Sequence, residues 1–379
     1  MKIAVVSHDS FWPVKGGGGI RVFWVVKKLV ERGHEVIVIA PFNETDGLKK
    51  EFSTITIKNL GKFSRFGKFK EVQYSKLALK IIISLLFTKA DAIYAHNIVA
   101  AYPSYIVSKL KRIPLIFDMD DILTGLSTNK IIRNIGQRLE FRTAKKTDTL
   151  ITMSNSLKQV LEKNNVRKDI HVVSHGVNLT KFYPRDIPKK NKIIYIGGVE
   201  PHDGTILLVD AALSIVKKYP DIIFEIIGDG KCLPDLITKV SECGLLKNFT
   251  FVSWVPNDEI PTHLAESRIG VVTHFRTPAT EICLVLKGLE YMAMGLPVVA
   301  PDLPGMREEF GDNERGLLFE PDNSRDLTNK LLNLLDDNQL QMSLGKAGVE
   351  FIKQNCDWGE NAKKIIEISE DCINQHKKH

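Results

Sequence analysis

Short runs of Val and Ile alternate along the chain with longer stretches whose apolar side chains recur every three or four positions. In the first half, runs near 2–7, 35–40, 54–57, 91–95, 114–118, 148–152 and 170–173 predict strands. Stretches near 20–32, 71–88, 98–111, 129–146 and 155–163 predict helices. Runs such as Ile3–Val6 and Val36–Ala40 have no polar face, which suits strands buried on both sides. The alternation restarts after 191, with strands near 192–197, 222–227, 249–252, 269–272, 297–300 and 316–319. Helices are expected there near 203–218, 232–243, 257–266, 284–294, 323–335, 338–354 and 358–376. Between the two series lies KFYPRDIPKKN, 181–191, where Pro184 and Pro188 stand in a basic cluster of linker composition. The pattern predicts an α/β chain: two doubly wound Rossmann-like domains, 1–180 and 192–357, joined by the 181–191 linker and facing a cleft.

Composition narrows this picture little. The 379 residues are 44% hydrophobic and 26% charged, ordinary for globular domains. That excludes a disordered tail, a fibrous repeat and a disulfide-stapled mini-protein. Charge adds more. Residues 1–190 hold 33 Lys and Arg against 16 Asp and Glu, whereas 191–379 hold 19 against 29. A basic first half implies either an anionic partner or surface charge tuned for solubility. All five cysteines fall in the second half with no metal-like spacing, so free thiols in a reducing compartment are expected. The first residues carry too short an apolar run for a signal peptide. The longest apolar run, Ile81–Phe87, is far short of the roughly 20 residues that span a bilayer. A cytoplasmic protein is expected, peripheral at most on the inner face of the cell membrane.

Several segments are fit for chemistry. Gly16–Gly19 follows the first strand and precedes a helix expected to open near Ile20. Glycines there let a backbone approach a diphosphate at a helix N-terminus, or they form a plain surface loop. The spacing is not G-x-G-x-x-G, which disfavours a dinucleotide. Lys192–Gly204, with Gly197 and Gly198, is the equivalent turn of the second domain. Lys287 and Glu290 are three apart and share a helix face: a phosphate cation with a carboxylate for sugar hydroxyls, or a simple ion pair. Asp118, Asp120 and Asp121 end a strand, either to bind hydroxyls or as an acidic cluster at a helix start. His96 ends another strand. In 58–80, Lys58, Lys62, Arg65, Lys68, Lys70, Lys76 and Lys80 interleave with Phe63, Phe66 and Phe69. That pattern suits an anionic membrane surface, a solvated loop or nucleic acid, although no nucleic-acid motif accompanies it and none is expected as a partner.

Taken in order, a set of motifs resembles a known family. They are Gly33-His-Glu-Val36, Tyr195-Ile-Gly-Gly198 with Gly204, and His175-Gly-Val-Asn178 with Phe182 and Pro184. Ile227-Gly-Asp-Gly230, Glu290-Tyr-Met-Ala-Met-Gly-Leu-Pro-Val-Val-Ala300, Gly316-Leu-Leu-Phe319 and Pro321-Asp322 complete it. Together they resemble the retaining glycosyltransferases of the GT-B fold, family 4, over nearly the whole chain.

The resemblance implies transfer of a sugar from a nucleoside diphosphate sugar, UDP- rather than GDP-linked, to a glycan or lipid-linked acceptor, in cell-surface polysaccharide or glycoconjugate synthesis. It implies no cofactor and no metal. It places the acceptor in the first domain, onto which the last helix, 358–379, packs back, and the donor in the second. Asp120, Lys287 and Glu290 would be catalytic. Gly17, Gly18, Gly19, Gly197, Gly198 and Arg276 would hold the diphosphate. Gly228, Trp254, Val255, Glu259 and Glu290 would hold the nucleoside, with His96, Asp118 and Asp121 on the acceptor side.

Departures stand beside these matches. Gly198 and Asp203 occupy positions where many members carry a phosphate-binding Arg and Lys. Ile282 replaces the first Glu of the E-x7-E pair, with Glu281 one residue away. Asp120 aligns with the family's active-site His. Lys287 and Arg276 are the cations available instead. A non-catalytic partner of the same fold, binding nucleotide or another subunit, and a sugar-nucleotide epimerase remain as alternatives.

Overall fold

The computed structural model describes the chain except residues 15, 64–69, 123–129, 167–168 and 379, and except the side chains of 70, 71 and 130–132. It divides into two units, Met1–His175 with Gly359–His379, and Gly176–Trp358.

Unit 1 runs β1 (Lys2–Ser7), α1 (Gly16–Glu31), β2 (Glu35–Ala40), α2 (Asp46–Glu51), β3 (Thr56–Asn59), α3 (Lys70–Leu86), β4 (Ala92–His96) and α4 (Asn97–Lys111). It continues with β5 (Leu115–Met119), α5 (Lys130–Lys146), β6 (Thr149–Thr152), α6 (Asn155–Lys163) and β7 (Ile170–Val172). Seven parallel strands lie in the order β3-β2-β1-β4-β5-β6-β7. The order reverses between β1 and β4, and a sheet of this kind binds ligands beyond the carboxyl ends of its strands at that reversal.

Unit 2 runs β8 (Lys192–Ile196), α7 (Ile206–Lys218), β9 (Ile223–Ile227), α8 (Leu233–Glu242), β10 (Phe249–Val252), α9 (Ile260–Ala265) and β11 (Ile269–Val271). It closes with α10 (Leu286–Ala293), β12 (Val298–Pro301), α11 (Pro304–Phe310), β13 (Leu317–Phe319), α12 (Ser324–Asp336) and α13 (Asn338–Asn355). Its six parallel strands are ordered β10-β9-β8-β11-β12-β13, and the reversal falls between β8 and β11. The last helix, α14 (Trp358–His376), sets Ile365, Ile366 and Ile373 into the core of unit 1 beside Val5, Val22 and Val25. Among the described residues no helix is long and apolar enough to cross a membrane.

Three expectations change. Gly16–Gly19 is not a loop ahead of a helix at Ile20, because α1 begins at Gly16 and the glycines form its first turn. The N–H groups of the first turn have no i−4 carbonyl to donate to, so glycine is better tolerated there than in a helix interior. The break between units falls at 175/176, upstream of 181–191, and that basic segment belongs to unit 2. There Lys181 pairs with Asp258, Arg185 reaches Thr262 at 3.3 Å and Lys190 meets Glu266 at 2.7 Å. Short α2 and α11 had no place in the sequence pattern. Of the basic stretch, Arg65, Phe66, Lys68 and Phe69 lie outside the described residues, as do the side chains of Lys70 and Glu71.

Candidate active site

In unit 1 the ends of β1, β4 and β5 deliver His8, His96 and the Asp118–Asp121 run to the reversal point. The deepest member was not anticipated. Arg21, on α1, is fully buried and grips Asp118 with two bonds, Nε to Oδ2 at 2.6 Å and Nη2 to Oδ1 at 2.8 Å. Its Nη1 donates to the carbonyls of Val173 (3.0 Å) and Ser174 (3.2 Å), and the Tyr94 hydroxyl donates to Asp118. Asp118 is therefore spent on holding Arg21 and Tyr94, which corrects its expected role toward acceptor hydroxyls.

Asp120 is the centre of what remains. Its Oδ2 is 3.2 Å from His96 Nε2, and its Oδ1 is 3.8 Å from His175 Nε2 and 3.5 Å from Arg21 Nε. Oδ1 is buried yet accepts no hydrogen bond among the described residues. Burial pushes the Asp120 carboxyl up, but His175, His96 and Arg21 together hold it far below the usual carboxylate range. Burial opposes a charge on His96, and Asp120 overcomes it, so the His96 pKa is raised. For His175 burial wins over Asp120 and the pKa is lowered. One carboxylate thus sits between a proton-retaining and a proton-shedding imidazole.

The N-terminus of α1 abuts this group. A Cβ on Gly18 would stand 2.9 Å from His96 Cε1 and 3.4 Å from Asp120 Oδ2, so glycine permits the approach. Gly17 faces His175, while Gly19 packs on Phe11 instead. The positive end of the helix dipole therefore falls on the Asp120 cluster. Asn97, next to His96, is held at φ 63° with its side chain buried, a strained geometry common at functional sites. Asp121 is half-buried beyond the strand end.

In unit 2 the carboxyl ends of β8, β9 and β10 are tied together. Gly197 N–H donates to Ile227 O, Gly228 N–H to Val252 O, and Val199 N–H to Asp229 O. Lys287, near the start of α10, reaches the Gly197 turn. Its Nζ donates to Tyr195 Oη at 3.0 Å, lies 4.3 Å from the Tyr195 ring centre, and stands 3.8 Å from Asp203 Oδ1. Gly197 has φ 141°, and a Cβ there would meet Lys287 Nζ at 2.7 Å. The cation absent from positions 198 and 203 thus arrives from another element. Asp203 holds the turn: it accepts from Glu200 N–H at 3.0 Å and lies 3.2 Å from His274 Nε2. Burial lowers the Lys287 pKa against the pull of Asp203. Asp203 is held well below the usual carboxylate range, burial being outweighed by His274 and Lys287.

Glu290 lies one turn further along α10 and is buried. Burial pushes its carboxyl up to about 8, opposed by a hydrogen bond with Asn257 in the segment after β10. That segment also carries Trp254, 54% exposed, and Val255, which packs on the α10 core. Glu259 is exposed at the start of α9. Arg276 does not join Lys287. It is exposed, 3.8 Å from Glu281 and 3.5 Å from Asp302 O. Ile282 is buried. Sequence reasoning missed Arg21, Tyr94, His175, Asp203, His274 and Asn257 as site residues.

Two family models match the chain in succession: Glycosyltransferase Family 4 over residues 15–181 and Glycosyl transferases group 1 over 180–365. An uncharacterized glycosyltransferase of Methanocaldococcus jannaschii is 27% identical, over 92% of this chain and 93% of its own. The phosphatidylinositol N-acetylglucosaminyltransferase GPI3 subunit of Saccharomyces cerevisiae is 23% identical, over 95% and 81%. Among solved structures, Anabaena HepE in complex with UDP superimposes with a TM-score of 0.78 at 19% identity, over 98% of this chain and all of that one. HepE has the GT-B fold, and the two sheets described above are those of that fold.

Proposed function

We propose, for a chain that belongs to the group 1, family 4 glycosyltransferases and has their GT-B fold, that it moves a sugar from a nucleoside diphosphate sugar, UDP- rather than GDP-linked, to a hydroxyl of a glycan or lipid-linked acceptor. The observation that carries this reading is Lys287 Nζ against the Gly197 turn at the reversal point of unit 2, with Glu290 one turn on. Lys287, the turn amides and the N-terminus of α10 are suited to the charge that develops on a departing diphosphate. This supply of positive charge supports turnover without a metal. Glu290, once ionised, accepts two ribose hydroxyls, and the 253–259 segment takes the base. The UDP in the HepE complex supports the choice of nucleotide, and the name of the yeast relative supports a lipid-borne acceptor.

In unit 1, Asp120 Oδ1 offers a charged, unoccupied acceptor to an incoming hydroxyl, with His96 and His175 fixing its orientation. Amides at Gly17 and Gly18 are available to phosphate oxygens. Retention follows in this reading from attack on the face the diphosphate leaves, the leaving oxygen taking the hydroxyl proton. A place in cytoplasmic synthesis of cell-surface glycoconjugates completes the proposal.

Ligand-observed NMR against UDP-, GDP- and ADP-sugars, without metal and then with magnesium, tests it. Saturable metal-independent binding of one nucleotide series is expected. Glu290→Ala should weaken it at least about tenfold, since two charge-assisted hydrogen bonds are lost. Unchanged affinity in that variant would sink the assignment of the donor site.

A further inference from the structure

The inner side of α3 is closed by Leu77, Ile81 and Leu85, all buried. Its opposite side is not polar. Val72, Leu79, Ile83 and Leu86 follow one another at spacings of seven, four and three, and all are exposed. Such spacings keep them on one stripe of the helix. Phe87, just past the helix end, is 82% exposed, and Leu110 of α4 is 68% exposed. Lys111, the neighbour of Leu110, donates to Leu85 O at 2.8 Å and Thr88 O at 2.6 Å, which ties the end of α4 to the end of α3. Single exposed apolar residues need no explanation, but a row of them does.

Cations border this row. Lys76 and Lys80 are exposed on the same side of α3, Lys80 with its Nζ donating to Leu60 O at 2.6 Å, and Lys62, Lys89, Lys109 and Arg112 are exposed around it, Lys109 at 3.5 Å from Asp148. Between residues 72 and 112 the sequence holds one carboxylate, Asp91, and its Oδ2 accepts the backbone N–H of Lys2 at 2.8 Å. Lys58, in contrast, turns inward to Phe87 O (3.1 Å) and Thr88 Oγ1 (2.7 Å), closing the end of α3. Phe63 is half-buried with its ring 5.3 Å from that of Tyr74. The exposed apolar row among the described residues lies over 72–89 and the end of α4.

We propose that this face docks on an anionic lipid surface, with Val72, Leu79, Ile83, Leu86, Phe87 and Leu110 entering the headgroup layer and the bordering lysines meeting lipid phosphates. Among the described residues, an aliphatic stripe with one strongly exposed aromatic ring, Phe87, suits lipid better than base stacking. Cations that outnumber carboxylates around this face, Lys109 alone of them lying near one among the described residues (Asp148, 3.5 Å), select acidic headgroups.

Flotation of the full chain with vesicles tests it, comparing pure phosphatidylcholine with vesicles holding about 30 mol% phosphatidylglycerol, where the surface potential is strongly negative. The chain should float with the anionic vesicles alone and be released by high salt. Lys76→Gln with Lys89→Gln should weaken binding about fivefold per lysine. Leu79→Gln, Ile83→Gln and Phe87→Gln together should weaken it at least about tenfold, as some of the buried apolar area is lost. UDP affinity and melting should be unchanged, because these side chains face solvent. Should the triple variant melt early, Phe87→Gln alone keeps the comparison. Absence of flotation, equal flotation with neutral vesicles, or wild-type flotation of the apolar variants would overturn the proposal. So would a lipid-free dimer that the triple variant abolishes, which would give the face to a second copy of the chain.

Discussion

Glu290 is a carboxyl whose surroundings favour its protonated form. Burial raises it to about 8, against an ordinary value of 4.5. Between those two values the unfolded chain has released a proton that the native chain keeps, so stability falls as pH rises through the window. Glu290→Gln should flatten that dependence and add about 1–3 kcal/mol at pH 7, read by denaturant melts at several pH values. The ligand should act the other way. If the proposed ribose contact to Glu290 holds, UDP needs the ionised carboxylate, and its binding should release a proton near neutrality, measurable by calorimetry in buffers of different ionisation enthalpy. That Lys287 and Glu290 share one helix face was legible from their spacing, but not that they take different partners, Tyr195 for one and Asn257 for the other. Asp203 was read only as a lost cation, since its partnership with Lys287 depends on a turn meeting a helix 84 residues away. Arg21 and Asp118 did leave a signal. An Arg amid Ile20 and Val22, and an Asp inside Leu115–Met119, are charges in apolar settings, and buried charges need partners. Nothing in the spacing said they would choose each other.

At the scale of elements, the long alternating runs were legible because a strand buried on both faces admits few polar residues. Short elements were not. α2 and α11 have six and seven residues, too few for a helical period to show. The glycines of α1 misled for a different reason. Glycine commonly ends elements, yet Gly18 is there for what it leaves out, a Cβ that would strike His96. α11 matters to the site through Glu309, whose Oε1 accepts the N–H of Val285 at 2.7 Å, just ahead of α10. Burial raises this carboxyl well above its ordinary range, which favours its neutral form. Glu309→Gln should therefore be nearly silent, while Glu309→Ala should cost about 1–3 kcal/mol by leaving a buried N–H unpaired. Thermal melts of the two variants separate a neutral acceptor from a required charge.

For the whole molecule, the division into units is asymmetric in sequence. Unit 2 is one continuous stretch, whereas unit 1 needs the residues after 358 to finish its core. The fragment 176–358 should fold alone, melt cooperatively and keep saturable UDP binding. The fragment 1–175 should expose the core surface that Ile365, Ile366 and Ile373 cover and should aggregate, as light scattering would report. Proline punctuation pointed to 181–191 for the break, but the side chains there are engaged by the segment around α9.

The two ends of unit 2 are neighbours. Val177 lies opposite Asp357 in an isolated parallel bridge, its N–H donating to Cys356 O at 2.7 Å and its carbonyl accepting from Trp358 N–H at 3.2 Å. A segment that enters and leaves at one spot is, to the rest of the polypeptide, a cassette plugged into a socket. Its excision leaves a gap that a few residues can bridge, and loop closure that short carries only a small entropic cost. Unit 2 is on this geometry exchangeable between relatives by two cuts, at 176 and 358, with no strand of either sheet rerouted.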